Sequence, residues 1–314
     1  MEKVPGKSQF PGGGGHGAKG GDLMMMFKNR LQRLPAVRLG LILLWLLAWT
    51  GGGLAADSAP LPAQAWNLRQ VERLKTAGEG ALTFAVLGDS RSNPPVFAQV
   101  LKSIARDPGL AFAIEVGDMV EQGTLEQFDA FFKQIRSAVR LPFLAVVGNH
   151  DLGKDHDLTL YREIFGPDYY AFQIKGNYFI MVNDTEVGGV GEPQWRWLED
   201  ELKKSRAYKT RLVFLHIPLF DPRGGENRHC LPETTGRRLA ALFRQYHVTH
   251  IFAGHIHSYF SGHWDGVPFT ITGGAGAPLY GTDPEHFFYH YLKVTLKEGA
   301  VQVEVQRIKA EGDH

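Results

Sequence analysis

Cysteine is nearly missing from this chain of 314 residues: Cys230 is the only one. That excludes an internal disulfide and any cysteine-rich metal cluster. Net charge is nearly missing too, because 34 Lys and Arg stand against 33 Asp and Glu, for a balance of +1. No global field therefore recruits nucleic acid or an anionic membrane, and affinity for an anion has to come from a local site. No internal repeat is visible. No His-Glu-x-x-His occurs, which removes the main support for a zinc peptidase or amidase. What remains is ordinary for a globular protein, 44% hydrophobic and 21% charged.

Residues 1–57 read as lying outside the fold. Met1 to Asp22 is rich in glycine and lysine, with Gly12–Gly15 unbroken, and cannot form a core. Lys28, Arg30, Arg33 and Arg38 precede the apolar run Leu39 to Trp49, and small residues, Leu54-Ala55-Ala56 among them, follow it. A basic segment, a short apolar run and small residues at a cleavage point form the pattern of a secretory signal. The run is short for a spanning helix, which needs roughly 17–25 residues. Leu39 through Ala56 reaches 18 if the glycines are tolerated, so a membrane tether through 39–56 stays open beside cleavage, which is preferred. The expectation is a disordered N-terminus plus signal peptide or membrane anchor over 1–57. The protein is then exported (periplasmic or extracellular), or anchored with its domain outside. A linker and short helix are expected over 58–78, and the main domain over 79–310, long enough for a sizeable core.

From Ala81 onward, strand-like and helix-like stretches alternate, which suggests a layered α/β domain with two sheets, part parallel and part antiparallel. Strands are expected at Leu82 to Leu87, Leu110 to Val116, from Leu144, at Leu212 to Leu215 and at Val248 to Phe252. Helices are expected at Pro94 to Arg106, where Asn93 is placed as N-cap, and at Thr124 to Val139, Glu192 to Ser205 and Thr234 to Tyr246. Tyr169 to Val182 reads as a hairpin, and the chain after Val267 as β-rich.

Five of these strands end in the same way, running from apolar residues straight into Asp, Asn or His. The ends carry Asp89, Asp118, Asn149 with His150, His216, and His255 with His257. Singly, each has a plain explanation: Asp after Gly is a common turn residue, and a lone His is more often a satisfied core or surface group. Together they make an oxygen and nitrogen donor set suited to Mn, Fe or Zn. There are more donors than one ion needs. Two divalent or trivalent metal ions are implied, bridged by one carboxylate at roughly 3.5–4 Å.

Gly148-Asn149-His150-Asp151 and Gly254-His255-Ile256-His257, with aspartate strand ends before them and His216 between, resemble the calcineurin-like metallophosphoesterases. These include purple acid phosphatases and cyclic-nucleotide phosphodiesterases, and the resemblance runs from about Leu82 to Gly276. It implies a four-layer α/β/β/α sandwich with two mixed β-sheets, the metallophosphatase fold. It also implies a dinuclear centre hydrolysing a small phosphorylated substrate, a mono- or diester. On that pattern Asp118 bridges the ions, Asn149, His216 and His255 complete one, and Asp89 and His257 hold the other. His150 is then no ligand but acts on the phosphoryl group, oriented by Asp151. A phosphoester resists hydroxide because its anionic oxygens repel it, so charge neutralisation and a proton for the leaving oxygen are the help it needs.

The pattern breaks once. The family's first motif is usually Asp-x-His, and here it reads Asp89-Ser90-Arg91. Arginine keeps its proton in a protein, so Arg91 cannot replace a histidine ligand. It reads as a clamp on the substrate phosphate, or as the partner of a nearby acid. Glu121 stands where purple acid phosphatases place a tyrosine, and is either a further carboxylate for an ion or a solvated loop charge. Asp221 to Thr235, with Arg223, Arg228 and His229, is either a loop that reaches a substrate anion or a plain solvated loop, and the second is preferred. Tyr259 follows the last motif, as a tyrosine often does in phosphatases of this group, and reads equally as packing under its loop. The rival to an enzyme is a non-catalytic metal-binding or interaction module on the same fold, with one metal site weakened by Arg91.

Overall fold

A computed structural model of the chain describes residues 60–74, 80–224 and 229–309, so the leader read over 1–57 lies outside the described residues. Among the described residues no helix is long and apolar enough to cross a membrane. Two mixed sheets form the centre. The first comprises β1 (Leu82–Leu87), β2 (Ala113–Glu115), β3 (Phe143–Ala145), β10 (His290–Lys297) and β11 (Ala300–Arg307), ordered β11-β10-β1-β2-β3. β1, β2 and β3 run parallel, while β10 and β11 are antiparallel additions. The second comprises β4 (Tyr170–Ile174), β5 (Asn177–Met181), β6 (Thr210–Phe214), β7 (His250–Ala253), β8 (Tyr259–Trp264) and β9 (Val267–Thr272), ordered β4-β5-β6-β7-β9-β8.

Strand alternation divides each sheet between two cores. Phe84 and Val86 of β1 face Phe179 and Phe214 of the second sheet in a layer that also holds Phe112, Phe172 and Phe252. Ala85 and Leu87 face the other way, onto α2 (Pro94–Arg106) and α3 (Leu125–Ala138), which bury Phe97, Leu101, Phe128 and Phe132. Across the second sheet, α5 (Glu192–Ser205) and α6 (Glu233–Gln245) bury Trp195, Leu198, Leu239 and Phe243. The result is the four-layer α/β/β/α sandwich. Asn93 caps α2 through a bond to the Val96 amide, and Pro94 sits at its first turn, where a missing N–H costs nothing.

Some elements differ from the expectation. β2 is regular only over Ala113–Glu115, although Ala111 N to Thr83 O (2.8 Å) and Val116 N to Leu87 O (2.8 Å) extend its pairing at both ends. A short helix, α4 (Thr159–Phe165), stands before the hairpin, where no element was expected. β8 forms where Tyr259 was read as packing under a loop, and closes a hairpin onto β9 through Asp265-Gly266. The stretch 58–78 holds α1 (Trp66–Leu74), which belongs to the same compact unit as the sheets, a unit running from Ser58. Its side chains finish the open edge of β3. Asn67 exchanges two bonds with the Ala145 backbone (2.9 and 3.1 Å), and Trp66 Nε1 donates to the Phe143 carbonyl (2.6 Å). A sheet edge left bare is a template for unwanted pairing, and α1 covers it.

Candidate metal centre

The polar strand ends converge because the strands are level. Leu87 of β1 pairs with Glu115 of β2, which pairs with Ala145 of β3, so all three strands release their chains at one height. Phe214 and Phe252 are paired in the same way in β6 and β7. Just beyond, Asp89, Asp118 and His255 take left-handed backbone conformations, with φ of 59°, 59° and 66°. Each such turn costs an L-residue about 1–2 kcal/mol. Local bonds hold them: Asp89 N to Gly117 O, His150 N to Asp118 Oδ1 and His255 N to Asp89 Oδ2, each 2.9 Å. Gly254 is required by close approach, since a Cβ there would lie 2.6 Å from Asp89 Oδ2.

Two groups of donor atoms result, each within 4.8 Å. One is Asp118, His216 and His255, and the other is Asp89, Asp118 and His257. Asp118 belongs to both. Asn149 joins the first, its Oδ1 lying 3.1 Å from His216 Nε2. The His216 ring Nδ1 is 2.8 Å from the Val116 carbonyl, to which it donates. That leaves Nε2 facing Asp118 Oδ1 at 3.2 Å as well as Asn149. Three acceptor atoms meeting in a buried place require a cation between them, proton or metal. Burial alone would push His216 down, but Asp118 overrides it and raises the ring to about 10. Burial would raise Asp118, yet His216 beside it holds its carboxyl well below the usual range. His255 is lowered to about 3 by burial, with His216 adding, so it is neutral and has a lone pair to offer.

The second group is built similarly. His257 Nδ1 lies 2.8 Å from the Pro278 carbonyl, and Nε2 faces Asp89 Oδ1 at 3.4 Å. That oxygen is buried and has no hydrogen-bond partner among the described residues. Carbonyl bonds at the far ring nitrogen are what fix a histidine to present its other nitrogen to an ion. In both groups the donor set, oxygen and imidazole nitrogen, fits a divalent metal.

His150 lines the cleft above the metal groups, with Nδ1 2.9 Å from the Glu121 carbonyl and Nε2 4.0 Å from Asp118 Oδ2. The role read for Asp151 is corrected here. Its carboxylate is spent on the backbone, accepting from Gly148 N (2.8 Å), Asp118 N (2.9 Å), Met119 N (2.8 Å) and Val120 N (3.2 Å). It therefore braces the loop after β2 against the loop after β3, and His150 is oriented by a carbonyl instead. Asp151 is raised by burial and by Asp118, against the pull of those amides. Glu115, fully buried below, is pushed well above the carboxylate range by burial, with Asp89 and Asp151 adding. Asp184, a residue the sequence did not single out, accepts from His216 N and Ile217 N and so fixes the turn that aims His216.

A cleft of about 410 Å³ opens over the site, walled by Arg91, His150, Arg223, His229, His257 and Tyr280. For the loop after β6 a solvated course was preferred over reach to a substrate anion. Arg223 and His229 instead belong to the cleft, because Asp221 grips Arg223 at 2.9 and 2.7 Å and takes the His229 amide at 3.1 Å. Tyr280 is 72% exposed and stacks on the His257 ring at 5.1 Å. Nothing local in sequence marked it, since it lies in a long glycine-containing loop far from the motifs.

Comparison with known proteins follows the same outline. The bovine (Bos taurus) serine/threonine-protein phosphatase CPPED1 is 27% identical over 169 residues, covering 50% of this chain and 52% of that protein. An onion (Allium cepa) phosphoenolpyruvate phosphatase is 23% identical over 224 residues, covering 64% of this chain and 46% of the relative. The chain thus spans about half the length of these curated relatives. The purple acid phosphatase PPD1 of yellow lupin (Lupinus luteus) superposes with a TM-score of 0.58 at 16% identity. The superposition covers 73% of this chain and 52% of that one, a likeness of fold. Residues 82–259 match the family model described as calcineurin-like phosphoesterase, a span that takes in every motif built into the centre above, and the chain belongs to that family.

Proposed function

We propose that this chain hydrolyses a phosphate ester of a small molecule, mono- or diester, with metal ions at the Asp118 centre. One observation carries the reading: a single buried carboxylate, Asp118, is shared by two donor groups whose atoms each lie within 4.8 Å. Asn149, His216 and His255 with Asp118 would hold one ion, and Asp89 and His257 with Asp118 a second. The donor types suit Mn, Fe or Zn. A bound ion supplies charge neutralisation at the phosphoryl oxygens and lowers the pKa of water toward neutrality. The protein's own groups do the rest. Arg91 and Arg223 bring positive charge to the cleft wall, where it favours an anionic substrate, while their forks are held by Asp118 and Glu121 and by Asp221. His150, fixed at Nδ1, keeps Nε2 toward the cleft, where it can give a proton to the leaving oxygen.

Full-length protein supplied with Mn²⁺ should cleave p-nitrophenyl phosphate or its diester, and a chelator should abolish the cleavage. Changing Asn149→Ala and His150→Ala together should lower kcat/KM by about 10²–10⁴-fold. A loss smaller than about tenfold overturns the assignment. Export completes the proposal, supported by the basic and apolar segments over 28–56. Cell fractionation tests it, with recovery in the cytoplasm as the contrary result. A non-catalytic module is favoured by one observation, the insertion of Arg91 among donor atoms. Metal content without turnover on any ester would select it.

A further inference from the structure

Arg91 is a cleft side chain that lies among the ligand atoms and cannot be a ligand. Its Nε is 3.3 Å from Asp118 Oδ2 and its Nη2 is 3.4 Å from His257 Nε2. Asp118 turns its other oxygen to His216, so the guanidinium lies on the side of the second donor group. Nη1 is anchored by Glu121 Oε2 at 2.7 Å, and the Ser92 hydroxyl donates to the other oxygen of the same carboxylate. The Arg91 side chain is 9% exposed. A permanent positive charge is thus held, nearly dry, against two atoms that an ion in the second group would use.

We propose that Arg91 is a built-in competitor for the second metal ion, an inference that rests on the metal-dependent reading above. The first ion enters the Asp118, Asn149, His216 and His255 group, which Arg91 touches only at Asp118 Oδ2, the oxygen turned away from His216. The second enters the Asp89, Asp118 and His257 group only by displacing the guanidinium. That displacement breaks charge-assisted hydrogen bonds to Asp118 and brings a cation close to a fixed cation in a poorly screened place. The competition is incomplete, because Arg91 leaves Asp89 Oδ1 without a donor, and that buried oxygen keeps an attraction for a cation. The two ions therefore bind in order, the second about a hundredfold or more weaker than the first. While the second place is empty, Arg91 supplies its positive charge to the same side of the cleft.

Calorimetric titration of chelator-stripped full-length protein with Mn²⁺ alone, followed in parallel by electron paramagnetic resonance, tests this. Wild type should show two steps about a hundredfold apart, with the spin-coupled pair signal appearing only at the second. Arg91→Ala should draw the steps together by about tenfold or more, and Arg91→Lys, which keeps a charge, by less. Two wild-type steps of like affinity overturn the inference whatever the variants do, and so does a gap unchanged in Arg91→Ala. Uptake of no ion by wild type overturns the metal-dependent reading itself, and this inference with it.

Discussion

Asp151→Asn keeps the shape of a buried side chain and turns one of its two acceptors into a donor. Oδ1 accepts from Met119 N and Val120 N, and Oδ2 from Asp118 N and Gly148 N. Whichever oxygen becomes the NH₂ group, two buried amides lose their acceptor. Each unsatisfied buried N–H costs about 1–3 kcal/mol, so the gross loss is about 2–6 kcal/mol. Removing a charge that burial disfavours offsets part of this, leaving about 2–3 kcal/mol. For a domain of this size that is a fall in Tm of about 4–12 °C. Because one severed pair includes Asp118 or its neighbour Met119, the first ion should bind about 10–100-fold more weakly. Differential scanning calorimetry and Mn²⁺ titration of the variant read both effects without substrate. His150→Ala should change neither Tm nor ion binding while lowering turnover. If Asp151→Asn melts within about 2 °C of wild type, binds Mn²⁺ normally and loses only turnover, Asp151 orients His150 and the brace is wrong.

Three further outcomes can be checked separately. His290 is fully buried between the Thr272 hydroxyl and the Phe288 carbonyl, and burial lowers its ring to about 4. The unfolded chain takes up that proton near pH 6.5 and the folded chain does not, so stability present above 6.5 is lost as pH falls toward 4. The loss is about 3 kcal/mol for this group. His290→Gln should flatten the pH dependence of urea unfolding over that window, and equal slopes would refute it. Asn67→Ala removes both bonds to the Ala145 backbone and should cost about 2–3 kcal/mol in urea unfolding, since it bares a buried strand edge. Tyr280→Leu should raise KM for phenyl phosphate about 2–10-fold while sparing glycerol phosphate, if the exposed ring stacks on an aryl group. Equal effects on both esters would assign it to packing alone.

Motifs and topology were legible where local signals are strong. Asn93-Pro94 opens α2, Thr124 caps α3 through the Gln127 amide, and apolar spacing on both helices matches the buried faces. The strand ends were legible because an apolar run breaking into Asp, Asn or His is a local pattern. β8 was legible in part and not read: Asp265-Gly266 has φ of 49° and 83°, a two-residue hairpin turn with its usual residues. α4 was not legible, having seven residues and no side-chain cap. The role of Asp151 could not be read at all. Its four donors come from residues 31 or more positions away in three cases, and adjacency to His150 in sequence suggested a contact that the turn at 149–151 does not make. Arg223, His229 and Tyr280 entered the cleft through loop paths that no periodicity encodes.

What the two sheets do for the centre follows from where its donors originate. Asp89, Asp118 and Asn149 hang from the first sheet, and His216, His255 and His257 from the second, so neither sheet alone holds a complete group. The separation of the two halves is set by the aromatic layer between them. Phe84 stacks on Phe112 at 4.9 Å and meets Phe179 edge-on at 5.5 Å, and Phe214 stacks on Phe252 at 5.1 Å. Phe252 lies two residues before Gly254 and Phe214 two before His216, so a change of ring volume there moves a ligand directly. Close-packed interiors transmit such changes and do not absorb them. The centre is therefore as rigid as the sheet interface. Arg91, two residues past Asp89, is tied to Glu121 on a loop, and on the proposal above it sets how tightly a second ion binds.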